Sequence, residues 1–321
     1  MSAFDLPWLV ADIGGTNARF GLVCEPGGPL TEVAVLAGAD HATLPDAVAA
    51  YLADHAGGVR PGAACLAVAG PIDGDVYRLT NLPWTGSVRD LGIPYATLLN
   101  DFEALALSLP HLDGDDLIAL GGPPPARGVK AVLGPGTGLG VGALVPSERG
   151  WVPVPGEGGH VTVPVLDDRE LEVVRVLRAG GMAHVVAEDL LSGPGLTRLH
   201  GALAVVNGVS APRLTASDIV ARLDDSLCAQ TVEVFCGMLG SFAGNVALTL
   251  GARGGVYLGG GVLPRIVDRV RASDFRRRFE ATPHLVDYLS AIATTLIVAP
   301  QPALTGAAAW LAQQSLKELV P

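Results

Sequence analysis

Lysine is nearly absent from this chain of 321 residues, which holds only Lys130 and Lys317. Neither lies in a G-x-x-x-x-G-K-[ST] frame, and this excludes a P-loop nucleotide site. The chain also has no V-A-I-K-type lysine and no D-F-G triplet, so the protein-kinase pattern is excluded as well. A nucleotide site in this sequence must therefore rest on groups other than a motif lysine.

Cysteine is scarce and dispersed along the chain. The four cysteines, Cys24, Cys65, Cys228 and Cys236, form neither a C-x-x-C pair nor a dense disulfide pattern. They indicate buried or free thiols in a reducing compartment. Asp5, with no basic region ahead of the first apolar run, argues against a signal peptide. We therefore expect a cytoplasmic protein.

The chain has fewer basic than acidic residues, with 21 lysines and arginines against 32 aspartates and glutamates, and its net charge is −11. The acidic residues are scattered, so most of the surface repels a nucleic acid backbone or an anionic membrane. Two long uncharged stretches, 234–252 and 288–316, contain glycines or prolines and predict buried elements rather than membrane spans. We expect no nucleic acid and no membrane partner.

The length exceeds the roughly 250 to 300 residues at which one hydrophobic core stops growing, so two domains are expected. Strands alternate with helices in the first part of the chain, which predicts an α/β domain, and the later part is rich in helical patterns. The irregular glycine and proline stretch 121–125 marks a boundary. We expect a small domain over 1–110 plus 300–321 and a large domain over 111–299, with the ligand site in the cleft between them.

Hydrophobic patterns give the individual elements. Strands are predicted over 9–13, 19–23, 65–69, 97–99, 131–133, 141–145, 256–258 and 296–299. Helices are predicted over 44–56, 102–109, 173–178, 185–191, 216–223, 228–250 and 307–316. We expect the last strand and helix to return to the first domain.

Two glycine-rich turns lie between consecutive predicted strands, one over 14–17 (Gly-Gly-Thr-Asn) and one over 134–140. Glycine lets backbone amides approach phosphate oxygens without obstruction from a Cβ atom. One such turn is more often an ordinary hairpin, but two of them and a third glycine cluster at Gly259 favour nucleotide binding. A G-x-G-x-x-A dinucleotide fingerprint starting at Gly138 is disfavoured because Pro146 interrupts the helix that it requires.

Three segments resemble, in order, the phosphate 1, phosphate 2 and adenosine motifs of the actin-like sugar kinase superfamily. They are 12–17 (DIGGTN), 136–138 (GTG) and 255–261 (GVYLGGG). Further segments are similar to the bacterial glucokinase family, namely 98–102 (LLNDF), 155–160 (PGEGGH) and 187–193 (AEDLLSG). The resemblance runs nearly end to end. It implies an α/β fold of two domains, the actin-like (ribonuclease H-like) ATPase fold, with ATP as a cofactor.

The resemblance also implies a reaction, the ATP-dependent phosphorylation of glucose to glucose 6-phosphate as the first step of glycolysis. Asp101 would be the catalytic general base, because a positioned carboxylate can accept the proton of a sugar hydroxyl. The competing interpretation of the Asn-Asp pair is a helix N-cap. Glucose would be bound by Asn100, Asp101, Glu157, His160 and Glu188. The nucleotide would be bound by Ala11, Asp12, Ile13, Gly14, Gly15, Thr16, Asn17, Gly136, Thr137, Gly138, Gly260 and Gly261.

A neighbouring group of repressors, open reading frames and kinases carries a cysteine-rich zinc segment, but here no cysteine lies between Cys65 and Cys228. We therefore expect no structural zinc and no other metal ligand set. His184 and Glu188 are spaced like metal ligands on a helix, but no third ligand accompanies them. Mg²⁺ is expected to arrive with the nucleotide, near Asp12. A homodimer is implied by the resemblance alone.

Two alternatives stay open at this point. A kinase for fructose or mannose would keep the same base and change only the hydroxyl contacts. A sugar-sensing regulator would keep the fold and work by binding, but the chain opens at the first phosphate hairpin without a helix-turn-helix, and its charge disfavours DNA. The donor, whether ATP, ADP or polyphosphate, is also open.

Overall fold

Contacts divide the chain into two units. The first comprises Met1–Leu112, Ser147–Pro155 and Ala299–Pro321, and the second comprises Asp113–Pro146 and Gly156–Val298. The structure is a computed structural model and describes residues 4–80 and 82–318. Each unit has its own sheet and its own hydrophobic core.

The described residues form the following elements. The strands are β1 (Trp8–Ile13), β2 (Asn17–Val23), β3 (Leu30–Ala37), β4 (Ala63–Val68), β5 (Ile72–Asp73), β6 (Val76–Arg78), β7 (Thr85–Ser87), β8 (Tyr95–Asn100), β9 (Leu117–Gly121), β10 (Lys130–Pro135), β11 (Leu139–Ser147), β12 (Gly150–Gly156), β13 (Val256–Leu258) and β14 (Thr294–Ile297). The helices are α1 (Leu44–Asp54), α2 (Asp101–Ser108), α3 (Asp168–Ala179), α4 (Ala187–Leu190), α5 (Gly193–Val206), α6 (Ala216–Ala221), α7 (Ser226–Leu250), α8 (Val267–Ala272), α9 (Phe275–Phe279), α10 (Val286–Ser290) and α11 (Pro302–Glu318).

The sheet of the first unit has the strand order β3-β2-β1-β4-β8. β1 pairs antiparallel with β2 and parallel with β4, and β4 pairs parallel with β8. The pairing register places Ile13 opposite Val68 and Val68 opposite Asn100. Because the carboxyl ends of parallel strands meet at one edge of a sheet, the residues that follow Ile13 and Asn100 lie at the same edge.

The last helix, α11, covers this sheet and packs against α2, β1 and β4. The two helices lie close together at Gly306, where a Cβ atom would lie 1.7 Å from the carbonyl oxygen of Ala104 in α2. The prediction that the final strand and helix both return to the first domain is therefore only half right. α11 belongs to the first unit, but β14 belongs to the second and pairs there with β13 and β9.

Strands of the second unit run in the order β11-β10-β13-β14-β9. β10, β13 and β14 are parallel, and their register aligns Leu133, Leu258 and Leu296. β11 returns antiparallel beside β10. The carboxyl ends of β10 and β13 thus lie side by side, and a glycine-rich segment follows each of them.

The 25-residue helix α7 is long and apolar enough to cross a bilayer by length and composition. However, 67% of its most apolar window is buried inside the protein. Phe235, Met238 and Phe242 of this helix are fully buried in the core of the second unit. α7 is therefore a core helix. The other uncharged stretch, 288–316, is divided among the end of α10, β14 and most of α11.

Several elements lie outside the sequence predictions. β3 is an edge strand with half-exposed and exposed positions, although its residues 33–37 (VAVLA) form an apolar run. β9 ends at Gly121, inside the stretch expected to be irregular. α5 begins with Gly193-Pro194-Gly195, a composition typical of a turn, but Ser192 caps it by accepting the N–H of Gly195 at 3.0 Å. The helix predicted over 185–191 is a single turn, α4.

Candidate active site

The first glycine turn joins β1 to β2. The N–H of Gly14 donates to the carbonyl oxygen of Asn17 at 3.0 Å and closes the turn. Asp12 stands at the end of β1 opposite Arg19 of β2, and the guanidinium lies 3.1 Å from its carboxylate. Burial raises the pKa of Asp12, and the charge of Arg19 offsets part of that effect. The site thus holds a poorly solvated carboxylate next to the turn.

Asn100 and Asp101 lie at the same edge of this sheet as the glycine turn. β1 and β8 are separated only by β4, so the backbones of Ile13 and Asn100 are two strand spacings apart, roughly 10 Å. Both polar side chains also begin α2. The N–H of Phe102 donates to Asn100 Oδ1 at 2.9 Å and to Asp101 Oδ1 at 3.0 Å. Asn100 and Asp101 therefore do cap α2, as the helix-cap interpretation expects. Capping does not prevent either side chain from also having a chemical role.

The second glycine turn, Gly136-Thr137-Gly138, follows β10 in the second unit. The N–H of Gly136 donates to the carbonyl of Gly138 at 2.8 Å, and the carbonyl of Gly136 accepts the N–H of Gly193 at 2.8 Å. Open space surrounds the position of a Cβ atom at Gly136. The first residue of α5 is thus joined to this turn.

The third glycine segment follows β13, next to the second turn. The N–H of Gly259 donates to the carbonyl of Leu133 at 2.7 Å. Gly260 has φ +85°, and a Cβ atom there would lie 2.2 Å from the carbonyl oxygen of Pro135. Only glycine satisfies both the backbone angle and this close approach. The predicted phosphate 2 and adenosine motifs therefore adjoin each other within the second unit.

Glu157, His160 and Glu188 gather around the first residues of β11. A Cβ atom at Gly159, between Glu157 and His160, would lie 2.1 Å from the carbonyl of Leu139, so this short 3₁₀ turn packs directly on the strand. Glu188 Oε2 accepts the N–H of Leu139 at 2.8 Å. The two segments are joined to each other, since the N–H of Ala187 donates to the carbonyl of Val161 at 2.9 Å.

The side chains of this group face solvent in part. His160 Nδ1 lies 3.7 Å from Glu157 Oε2, and the two side chains are 61% and 90% exposed. The carboxylate of Glu157 offers hydrogen-bond acceptors to a polyhydroxyl ligand, and the imidazole of His160 offers a donor. His184, the residue spaced like a metal ligand with Glu188, contacts Thr162 Oγ1 at 3.2 Å instead. Among residues 4–80 and 82–318, no three His, Cys, Asp or Glu side chains cluster as a metal site.

A pocket of about 1210 Å³ in the second unit contains residues that sequence analysis missed. Gly136 and Thr137 form one end, while Thr197 and His200 of α5 and Arg265 line the remainder. The glycine-rich motif indicates only the end of the pocket at Gly136 and Thr137. The signal that would have pointed to the rest is the Ser192-Gly193-Pro194 sequence, in which a capping serine precedes a proline suited to the first helical turn.

Solved structures with the same architecture set the class. A glucokinase from an Antarctic psychrotroph has a TM-score of 0.87 and 36% identity, with 95% of this chain and 98% of that chain covered. A ROK hexokinase from Thermus thermophilus has a TM-score of 0.68 at 22% identity, covers 98% of this chain and 100% of that chain, and indicates the fold alone. With two α/β units and their glycine turns, these likenesses define a two-domain sugar kinase.

The family follows from sequence comparison. A family model described as glucokinase matches residues 9–314. A glucokinase from Saccharophagus degradans is 46% identical over 321 residues, which cover 97% of this chain and 99% of the relative. The chain belongs to the glucokinase family. The predicted family, the α/β two-domain fold class and the assignment as a glucose-phosphorylating kinase are confirmed.

Proposed function

We propose that this chain transfers the γ-phosphate of ATP to glucose, giving glucose 6-phosphate, with Asp101 as the general base. The observation that carries the proposal is the shared edge of the first sheet, where Asp101 follows β8 and the Gly14 turn follows β1. A base at that edge is near phosphate groups held by the turn. In the cytoplasm this reaction would be the first step of glycolysis.

The chemistry requires a proton acceptor because a sugar hydroxyl is a weak nucleophile at neutral pH. In the proposal, a carboxylate oxygen of Asp101 accepts the proton of the attacking hydroxyl as the new O–P bond forms and the bond from the γ-phosphorus to the bridging oxygen breaks. Positioned general bases contribute about a hundred- to ten-thousandfold in rate. The hydrogen bond from Phe102 to Asp101 Oδ1 fixes the orientation of that carboxylate.

Specificity for glucose is assigned to Asn100, Glu157, His160 and Glu188, together with Asp101. Asn100 Oδ1 already accepts the N–H of Phe102, so its amide nitrogen is the group that donates to the sugar. Glu188 Oε2 is held by Leu139, so Oε1 is the oxygen that accepts from a hydroxyl. Fixed donors and acceptors reject a sugar that lacks the matching hydroxyl, because the protein group is then left unpaired.

The nucleotide is assigned to the glycine segments and their neighbours. Backbone N–H groups of the turns are suited to phosphate oxygens, since they carry partial positive charge and glycine leaves them accessible. The residues are Ala11, Asp12, Ile13, Gly14, Gly15, Thr16 and Asn17 in the first unit, and Gly136, Thr137, Gly138, Gly260 and Gly261 in the second.

Mg²⁺ is expected with the nucleotide, and Asp12 is the carboxylate suited to it. The side chain of Asp12 is 21% exposed and sits at the end of β1 next to the turn, and carboxylate oxygen is a preferred ligand of this hard cation. The ion would neutralise negative charge on the phosphate oxygens. Arg19, whose guanidinium lies 3.1 Å from this carboxylate, would hold Asp12 in place when the ion binds.

The test separates binding from chemistry. Asp101→Asn should retain glucose binding by calorimetry and lose about a hundred- to ten-thousandfold in kcat with ATP. The exposed Asp115, changed to Asn, is the matched control and should keep full turnover. Turnover of the Asp101→Asn enzyme at the wild-type rate would refute the assigned base.

A panel of hexoses and donors tests the substrates. Glucose should exceed fructose and mannose in kcat/KM, and ATP should exceed ADP and polyphosphate. A higher kcat/KM for another hexose would contradict glucose as the preferred substrate, but the assignment as a sugar kinase would stand. The homodimer is proposed from the family and is tested by light scattering of the purified chain.

A further inference from the structure

Glu103 lies two residues beyond the proposed general base, in the first turn of α2. Its Oε2 accepts the backbone N–H of Asn100 at 2.9 Å. The side chain therefore reaches back across the start of the helix to the last residue of β8. An acidic side chain of the first turn that bonds to the backbone of the N-cap residue is the pattern of a capping box.

The hydrogen bonds of this turn hold the junction between Asn100 and Asp101 from both sides. On the strand side, Glu103 binds the N–H of Asn100. On the helix side, the N–H of Phe102 donates to the side chains of both Asn100 and Asp101. Asn100 is extended, with φ −65° and ψ 150°, whereas Asp101 begins the helix. The backbone thus changes direction immediately before the proposed base, and Glu103 ties the incoming strand to the helix.

The carboxylate of Glu103 lies near the sheet of the first unit. The residue is half-buried. Burial raises the pKa of the Cys65 thiol in β4, and the negative charge of Glu103 adds to that rise, so the two groups are neighbours. β4 pairs with β8. A hydrogen bond in partly dry surroundings is stronger than one at an exposed helix start, so this contact is suited to fix the geometry around it.

We propose that Glu103 is a positioning residue for the general base, because its hydrogen bond to Asn100 sets the direction in which the Asp101 carboxylate points. The inference rests on the proposed function, in which Asp101 accepts the proton of the attacking hydroxyl. That transfer needs a base oxygen within hydrogen-bond reach of the hydroxyl, and a displacement of about 1 Å can cost about a hundredfold in rate. Glu103 takes no part in the proton transfer and acts through its hold on the backbone.

Variants of Glu103 separate its acceptor oxygen from its bulk and its charge. Glu103→Ala removes the acceptor and should lower kcat about ten- to a hundredfold. The KM for glucose should rise, since Asn100 is also assigned to the sugar, and the KM for ATP should stay within about twofold. Glu103→Gln keeps an acceptor oxygen at the same reach without the charge and should restore kcat to within about threefold of the wild type. Glu103→Leu keeps bulk without an acceptor, should behave like Glu103→Ala, and replaces it if the alanine variant does not fold.

Asp90→Ala is the matched control for the loss of a helix cap. Asp90 accepts the N–H of Ser87 at 3.0 Å at the exposed start of the 3₁₀ turn 88–91, also in the first unit. The Tm should fall by a similar amount in Asp90→Ala and Glu103→Ala, but kcat should stay within about twofold of the wild type in Asp90→Ala. Equal kcat values for these two variants would overturn the proposal, because Glu103 would then be an ordinary cap. Glu103→Gln as slow as Glu103→Ala would also overturn it, because the charge would then matter rather than the hydrogen bond.

Combination with Asp101→Asn gives the sharpest test. A residue that acts only by orienting the base has nothing to orient once the base is gone, so kcat of the double variant Glu103→Ala/Asp101→Asn should lie within about twofold of that of Asp101→Asn. A further loss of about tenfold in the double variant would overturn the positioning role, because it would show damage independent of the base. Slow turnover of Asp101→Asn together with full turnover of Glu103→Ala would overturn this inference and leave the proposed function intact. Wild-type turnover of Asp101→Asn would overturn the assigned base and the inference with it.

Discussion

Glu188 and Leu139 are joined by a hydrogen bond in which Oε2 of the carboxylate accepts the backbone N–H at 2.8 Å. Leu139 directly follows the Gly136-Thr137-Gly138 turn, and Glu188 directly precedes Asp189, whose own carboxylate caps the short helix α4. One proposed sugar-binding carboxylate therefore also holds the end of a proposed phosphate-binding turn. Changes to this contact should affect both substrates.

Gly138→Ala tests that coupling. The added Cβ would lie 2.4 Å from Glu188 Oε2, so the carboxylate must move and its bond to Leu139 is lost. We expect the KM for glucose and the KM for ATP to rise together, each about tenfold, which corresponds to roughly 1.4 kcal/mol of binding. Steady-state kinetics with each substrate varied checks this. In Gly136→Ala, where a Cβ meets open space, only the KM for ATP should change, and a pure ATP effect in Gly138→Ala would disprove the coupling.

Gly306→Ala should destabilise the first unit. A Cβ atom would lie 1.7 Å from the carbonyl oxygen of Ala104, which forces α11 away from α2, the helix that begins at Asp101. Overpacking of this kind typically costs about 1–3 kcal/mol, and this backbone clash should reach the upper end of that range. Denaturant unfolding measures it. Gly201→Ala, with no atom within 4 Å, should be neutral or slightly stabilising, and equal stability of both variants would show that the two helices separate freely.

A buried ion pair joins α3 to α9 in the second unit. Arg278 lies 2.8 Å from Glu170, and their side chains are 5% and 2% exposed. Glu170→Ala removes the buried partner of this guanidinium and leaves only Asp167, which is 3.5 Å away and has a 54% exposed side chain, as a counter-charge. We expect a loss of about 3 kcal/mol in the free energy of unfolding, the lower end of the range for a broken buried pair.

The matched control for this pair is the exposed pair of Arg89 and Asp75, whose side chains are 81% and 41% exposed. Asp75→Asn should cost less than about 1 kcal/mol, because solvent screens the charges. Urea titration of both variants gives the comparison. A similar cost for both would mean that burial does not strengthen the Arg278 pair.

His200 should make the fold sensitive to acid. Burial lowers its pKa below the ordinary value of 6.5, so the unfolded chain takes up a proton at a higher pH than the folded chain does. The stability contributed by the neutral ring is complete above pH 6.5 and is lost as the pH falls through the folded-state pKa. The Tm of the wild type should therefore decrease more steeply below pH 6.5 than that of His200→Gln. Parallel Tm curves for the two proteins would contradict this.

Metal removal should affect turnover and spare the fold. Excess EDTA should abolish phosphorylation of glucose, and excess Mg²⁺ should restore it, because the ion comes with the nucleotide. The Tm of the protein without nucleotide should be the same with and without EDTA. A lower Tm in EDTA would reveal a structural metal, contrary to the expectation drawn from the cysteine spacing.

Local patterns determined a large part of this protein from sequence alone. The first two strands, the helix that became α7 and the strand β13 were predicted because each is a continuous apolar run or periodic segment. The glycine turns could be identified from sequence because each consists of a few neighbouring residues. The family motifs at 12–17 and 136–138 then identified the sugar kinase class, which the comparisons bear out.

Tertiary structure decided what depends on residues distant in the chain. Glu188 and Leu139 are 49 residues apart, and nothing in either local sequence shows that they meet. Three other features also depend on residues far apart in the chain. They are the contact of Gly306 with α2, the position of β14 in the second sheet and the pocket along α5. A sequence pattern gives the periodicity of one helix or strand. The contact between two elements depends instead on how their surfaces pack, and on where a glycine lets the backbone of one element approach a carbonyl of the other. Motif residues could therefore be named from sequence, but the groups that orient them required the fold.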